Sequence, residues 1–156
     1  MSISSRIRTA IAVAAAAGAV MTVGLQAAPA DAAIGSMTAN LKVTPVDGQP
    51  GYKWVHVHGN VKMSQTEAQN LINEGHNVVV RLWGEDTFSD DLLMGPYTAV
   101  RGAYYDGLWY SIAHKVPNSL LNEDWGQDEI YAGVRLNYPN GLTLRSAETN
   151  RVVGSF

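Results

Sequence analysis

The stretch Glu129–Gly141 (EIYAGVRLNYPNG) decides how the rest of the chain is read. From Glu129 to Asn137 apolar and polar residues alternate. Ile130, Ala132, Val134 and Leu136 fall on one side, and Tyr131 and Arg135 on the other. Successive strand side chains point to opposite faces, so this period of two describes a strand with one face on a core. Asn140-Gly141 then supplies the residues that a tight hairpin requires, because its central positions need positive φ. Leu142–Ser146 returns as the next strand, and Asn150–Phe156 reads as an edge.

The same period recurs toward the N-terminus. Asn77–Gly84 (NVVVRLWG) sends Val78, Val80 and Leu82 inward and Val79, Arg81 and Trp83 outward. In Tyr52–Met63, Val55, Val57, Val61 and Met63 share one face, and Trp54, His56 and His58 the other. Met37–Val46 is a first strand, and Tyr97–Tyr104 and Leu108–Val116 form a hairpin about Tyr105-Asp106-Gly107. One segment breaks the pattern. Ser64-Gln65-Thr66-Glu67 is a capping box, Ala68, Leu71 and Ile72 follow at helical spacing, and Gly75 suits the C-terminal cap. This predicts one short helix, about residues 65–74. Seven or eight short strands with one helix predict an antiparallel β-sandwich, with a small β-barrel as the alternative.

The chain has 156 residues, no cysteine and a formal charge of −3. Zero cysteine excludes disulfides, thiolate-bound zinc, iron–sulfur clusters, thiol catalysis and a lipid-modified N-terminal Cys. The acidic balance argues against a nucleic-acid partner, which calls for a basic patch. Residues 1–32 differ from the rest. Arg6 and Arg8 precede an apolar run from Ala10 to Leu25, then Ala30-Asp31-Ala32. That order is the pattern of a secretory signal peptide cut after Ala32, leaving one domain over 33–156 with no membrane span. Setting aside Arg6, Arg8 and Asp31 leaves nine basic and thirteen acidic residues, a charge of −4. The expected location is extracellular or in the cell envelope.

Tracking strand direction brings three acidic loops to one end of the sandwich. They hold Asp47, then Glu85, Asp86, Asp90 and Asp91, then Asn122, Glu123, Asp124, Asp128 and Glu129. Converging carboxylates repel, and a calcium ion, which takes six to eight oxygen ligands from flexible loops, relieves that repulsion. Asp47, Glu85, Asp86, Asp90, Asp91, Asn122, Asp124 and Asp128 are the expected ligands. The arrangement resembles the calcium-loop tip of C2 and PLAT sandwiches in architecture, and no motif of those families aligns to carry residues across. A solvated acidic end that aids solubility is the plain alternative.

A second feature is aromatic. Trp54, Trp83, Trp109 and Tyr131 occupy outward positions, with His56, His58 and Arg81 between them. Read as one exposed face, Trp54, His56, His58, Arg81 and Trp83 would bind a glycan or a protein. His56 and His58, two apart on a strand, also present imidazoles to zinc if His76 supplies a third. No G-x-S-x-G, H-E-x-x-H or P-loop pattern is present, so the chain reads as a non-enzymatic binding protein. A small secreted hydrolase built on pairs drawn from Glu85, Asp86, Glu123 and Asp124 is the third reading.

Overall fold

The computed structural model describes residues 34–86, 89–122 and 127–156. Residues 1–32, read above as a signal peptide, and Glu123 and Asp124 lie outside them. Among the described residues nine strands and one α-helix follow in order: β1 (Met37–Val46), β2 (Gln49–Val61), α1 (Gln65–Asn73), β3 (Asn77–Gly84), β4 (Asp91–Thr98), β5 (Val100–Tyr104), β6 (Gly107–Pro117), β7 (Asp128–Asn137), β8 (Thr143–Glu148) and β9 (Val152–Gly154). They form two antiparallel sheets. One has the order β1-β2-β6-β5; the other has β4-β3-β7-β8, with β9 also paired to β7. Neither closes into a barrel, and their inward faces share one core, so the fold is a β-sandwich.

The alternation supplies that core. Val55, Val57 and Val61 of β2 and Leu108 and Tyr110 of β6 meet Val78, Val80 and Leu82 of β3 and Ile130, Ala132, Val134 and Leu136 of β7. The helix is set as its sequence requires. Ser64 Oγ accepts from the Glu67 N–H at 3.3 Å, and Glu67 Oε2 accepts from the Ser64 N–H at 2.7 Å. At the other end Gly75 has φ +86°, and the N–H groups of Gly75 and His76 donate to Ile72 and Leu71 carbonyls. This is a complete Schellman close. Among the described residues no helix is long and apolar enough to cross a membrane.

Two strand boundaries differ from expectation. The chain ahead of the strand expected at Tyr97 is already strand from Asp91, because Leu92 and Met94 pair with Trp83 and Leu82. Its acidic start and Gly95-Pro96 disguise it in sequence. The strand expected over Tyr97–Tyr104 breaks at Ala99: β4 stays with β3, and β5 crosses to β6 in the other sheet. One expected strand thus becomes two, and the count reaches nine.

The expected meeting of loops at one end follows from the registers. Val46 pairs with Gln49, Tyr52 with Pro117, Gly84 with both Asp91 and Ile130, and the segment after Pro117 leads into Asp128. The β1–β2 turn, the β3–β4 loop and the β6–β7 loop therefore share that end. The aromatic face does not stay whole. Trp54, His56, His58 and Trp109 lie on the outside of the first sheet, whereas Arg81, Trp83 and Tyr131 lie on the outside of the second. The helix carries the chain from β2 to β3 across the sandwich, so strands adjacent in sequence face opposite directions.

Candidate functional site

At the loop end, partners already occupy much of the acidic set. Arg151, brought there by the turn before β9, places Nε 2.7 Å from Glu85 Oε2 and Nη1 3.3 Å from Glu148 Oε2. Its guanidinium also stacks 4.5 Å above the Tyr131 ring. These two carboxylates hold its proton more firmly than usual. The Tyr131 hydroxyl donates to Asp90 Oδ2 at 2.6 Å, and burial together with that carboxylate pushes the phenol up to about 12. Asn122 acts as a clamp: its Nδ2 donates to the Phe156 carbonyl at 2.6 Å, and its Oδ1 accepts from the Phe156 N–H at 2.8 Å. Asp47 is exposed in the β1–β2 turn, and Asp91 and Asp128 open β4 and β7. Among the described residues no three acidic or histidine side chains group as a metal site.

The histidines are dispersed as well. His56 and His58 lie along β2, and His114 stacks on Tyr97 with ring centroids 4.2 Å apart. His76 is buried beside Tyr138 with centroids 5.1 Å apart.

A hollow of about 490 Å³ lies at the opposite end of the first sheet, on its outer face. The β5–β6 hairpin builds it. Tyr104 pairs with Gly107 across the turn, Gly102 with Trp109, and Val100 with Ser111, so these residues share the outer face. Tyr105 forms the turn and is 87% exposed, against 55% for Tyr104 and 40% for Trp109. Gly102 leaves the floor low, and the Tyr104 ring lies over it: Cε2 is 3.0 Å from where a Cβ would stand. His58 and Ser111, paired between β2 and β6, form the polar wall.

Asp106 organises this hollow. Its Oδ1 accepts from Trp109 Nε1 at 2.7 Å, and its Oδ2 lies 3.4 Å from Lys62 Nζ. Its carbonyl accepts from Asn60 Nδ2 at 3.2 Å. The indole N–H holds its carboxyl below the ordinary range; partial burial opposes this and Lys62 reinforces it. A carboxylate has about four lone-pair positions. Asp106 thus fixes the indole and keeps acceptor capacity for a ligand. The chemistry on offer is an aromatic platform with a charged acceptor and a hydroxyl at its edge.

Of the residues singled out in sequence, Trp109 and His58 belong to this hollow, and Trp54 and His56 lie further along the same face. Arg81 and Trp83 are on the other sheet. The sequence pattern marked Tyr104 only as the end of a strand, and Tyr105 and Asp106 only as a turn. Their signal was density: three aromatics within the six residues Tyr104–Trp109 (YYDGLW), around a hairpin turn. Comparison with known proteins adds no assignment, since no family model and no curated protein matches the chain.

Proposed function

We propose that this protein is an exported, single-domain carbohydrate-binding module that uses the hollow of the β5–β6 hairpin. The exposed Tyr104–Tyr105–Trp109 cluster with Asp106 at its edge carries the reading. A sugar ring has an apolar C–H face and a rim of hydroxyls. Aromatic faces are electron-rich and take the C–H face, while a carboxylate and a serine hydroxyl take the rim. Small-ligand sites combine such apolar walls with a few placed polar groups. The concavity holds a sugar unit or two, whereas a protein partner would call for a broad apolar patch. Export rests on the leader pattern of residues 1–32.

The test is a glycan array on the full chain, followed by calorimetry with any hit. Trp109→Ala is expected to weaken binding at least tenfold, about 1.4 kcal/mol. Trp83→Ala on the other sheet should leave the affinity unchanged. An array without hits, or a hit indifferent to Trp109→Ala, would overturn the reading.

A further inference from the structure

The outer face of the second sheet carries a separate, polar hollow of about 510 Å³. Gly133 of β7 forms its floor, in register between Arg81 of β3 and Glu148 of β8. Having no side chain, Gly133 leaves the floor open, and Trp83 Nε1 lies 3.3 Å from where a Cβ would stand. Arg81 sits at a bulge: between the pairs Val80–Tyr97 and Leu82–Met94, β4 sets two residues, Gly95 and Pro96, against this one. Bulges re-aim the side chains beside them and are common next to binding sites. Arg135, two residues beyond Gly133 on the same face, pairs with Ser146.

The donors of this hollow lack acceptors. Among the described residues neither Arg81 nor Arg135 makes an ion pair, and neither they nor Trp83 Nε1 make a side-chain hydrogen bond. Glu148, the carboxylate on the rim, is turned to Arg151 at 3.3 Å. Two guanidiniums without carboxylate partners thus line one hollow whose floor a glycine leaves open. A guanidinium presents five N–H donors in a planar fork that matches an oxyanion in bidentate fashion. The indole N–H adds a donor without charge.

We propose that this hollow binds an oxyanion, held by the Arg81 and Arg135 guanidiniums together with the Trp83 indole N–H. A carboxylate, a sulfate and a phosphate share that chemistry. The site stands independently of the sugar-binding reading, since it lies on the opposite face of the sandwich.

The experiment titrates the full chain with sodium glucuronate, sodium sulfate and sodium phosphate at constant ionic strength, with chloride as the reference. The readout is the Trp83 indole ¹H–¹⁵N resonance, assigned by its loss in Trp83→Phe. A saturable shift with at least one anion is expected, and the anion that saturates identifies the source. Arg81→Gln with Arg135→Gln should weaken that binding tenfold or more, and Arg135→Lys, which keeps the charge and loses the fork, should fall between. No saturable shift beyond chloride with any of the three would overturn the proposal. So would an unchanged affinity in the double variant. Should the double variant fail to fold, Arg135→Gln alone decides, because Arg135 is exposed. A weakening of threefold or more supports the site, and an unchanged affinity sinks it.

Discussion

Trp109 Nε1 donates to Asp106 Oδ1 at 2.7 Å, so the indole beside the hairpin hollow is oriented by a carboxylate three residues before it. That bond is the leading reason the Asp106 carboxyl lies below its ordinary value of 3.8. A carboxylate depressed by folding stabilises the folded state above its unfolded value, and the contribution is lost as pH falls through the lower, folded value. Trp109 emission is therefore expected to hold steady from neutral pH down to the ordinary carboxylate value and to change only below it. The measurement is an acid titration of fluorescence, wild type minus Trp109→Phe, with far-UV circular dichroism tracking the fold. Asp106→Asn should remove the acid transition. A transition centred well above 3.8 would contradict the assignment.

Gly102 offers a way to move one wall of that hollow without touching the wall itself. A Cβ there meets Tyr104 Cε2 at 3.0 Å, and the Tyr104 ring is exposed and free to swing. Gly102→Ala should thus displace the ring at little cost to the fold, within about 0.5 kcal/mol in a denaturant titration. Affinity for a glycan hit should fall about threefold or more, since the platform is no longer set for its ligand. Equal affinities would mean that Tyr104 takes no part.

The division between what sequence showed and what it hid has a physical basis. Period-two alternation in β2, β3, β6 and β7 marked the core because each of those strands has one face buried. The capping box marked the helix because its bonds are local. Sheet membership is not local. Trp54 and Trp83 both alternate outward, and only the crossover through α1 and the pairing of β2 with β6 and of β3 with β7 put them on opposite sides. The break at Ala99 is of the same kind: its N–H bonds back to Val78 while the next residue already pairs with Ser111. The cation at the acidic end is hidden for the same reason: Arg151, which pairs with Glu85, lies 66 positions away in the chain.

Arg151 leads to a prediction about that end. It ties the approach to β9 to the β3–β4 loop through Glu85 and lies over Tyr131. Arg151→Gln keeps hydrogen-bonding capacity and removes the charge, leaving Glu85 and Glu148 without their cation. A fall of a few degrees in Tm is expected, larger at low salt because exposed pairs are screened. Millimolar calcium should recover part of that loss by binding the released carboxylates, and chelator should abolish the recovery. Calorimetric scans of both proteins with calcium and with EDTA decide the matter. A calcium-dependent rise already present in the wild type would instead place an ion at this end with Arg151 still in position.

The deepest constraint on the fold lies between Gly59 of β2 and Tyr110 of β6. They are directly paired, and the Tyr110 ring crosses over Gly59 so that its hydroxyl donates to the Thr38 carbonyl of β1 at 2.6 Å. Three strands are joined by one side chain that is only 2% exposed. A Cβ on Gly59 would meet both the Thr38 carbonyl oxygen and the end of the Tyr110 ring, and neither has room to retreat. Gly59→Ala should therefore cost about 1–3 kcal/mol or more as overpacking. Tyr110→Phe keeps the ring and removes the donor, leaving the Thr38 carbonyl without that bond, for about 1–3 kcal/mol. Burial raises the Tyr110 hydroxyl above its ordinary 10, so the donor persists at alkaline pH and the loss in Tyr110→Phe should be independent of pH between 6 and 9. Urea titrations of the three proteins at pH 6 and at pH 9 read both values. If Gly59→Ala were as stable as the wild type, the ring would have to leave its place over β2.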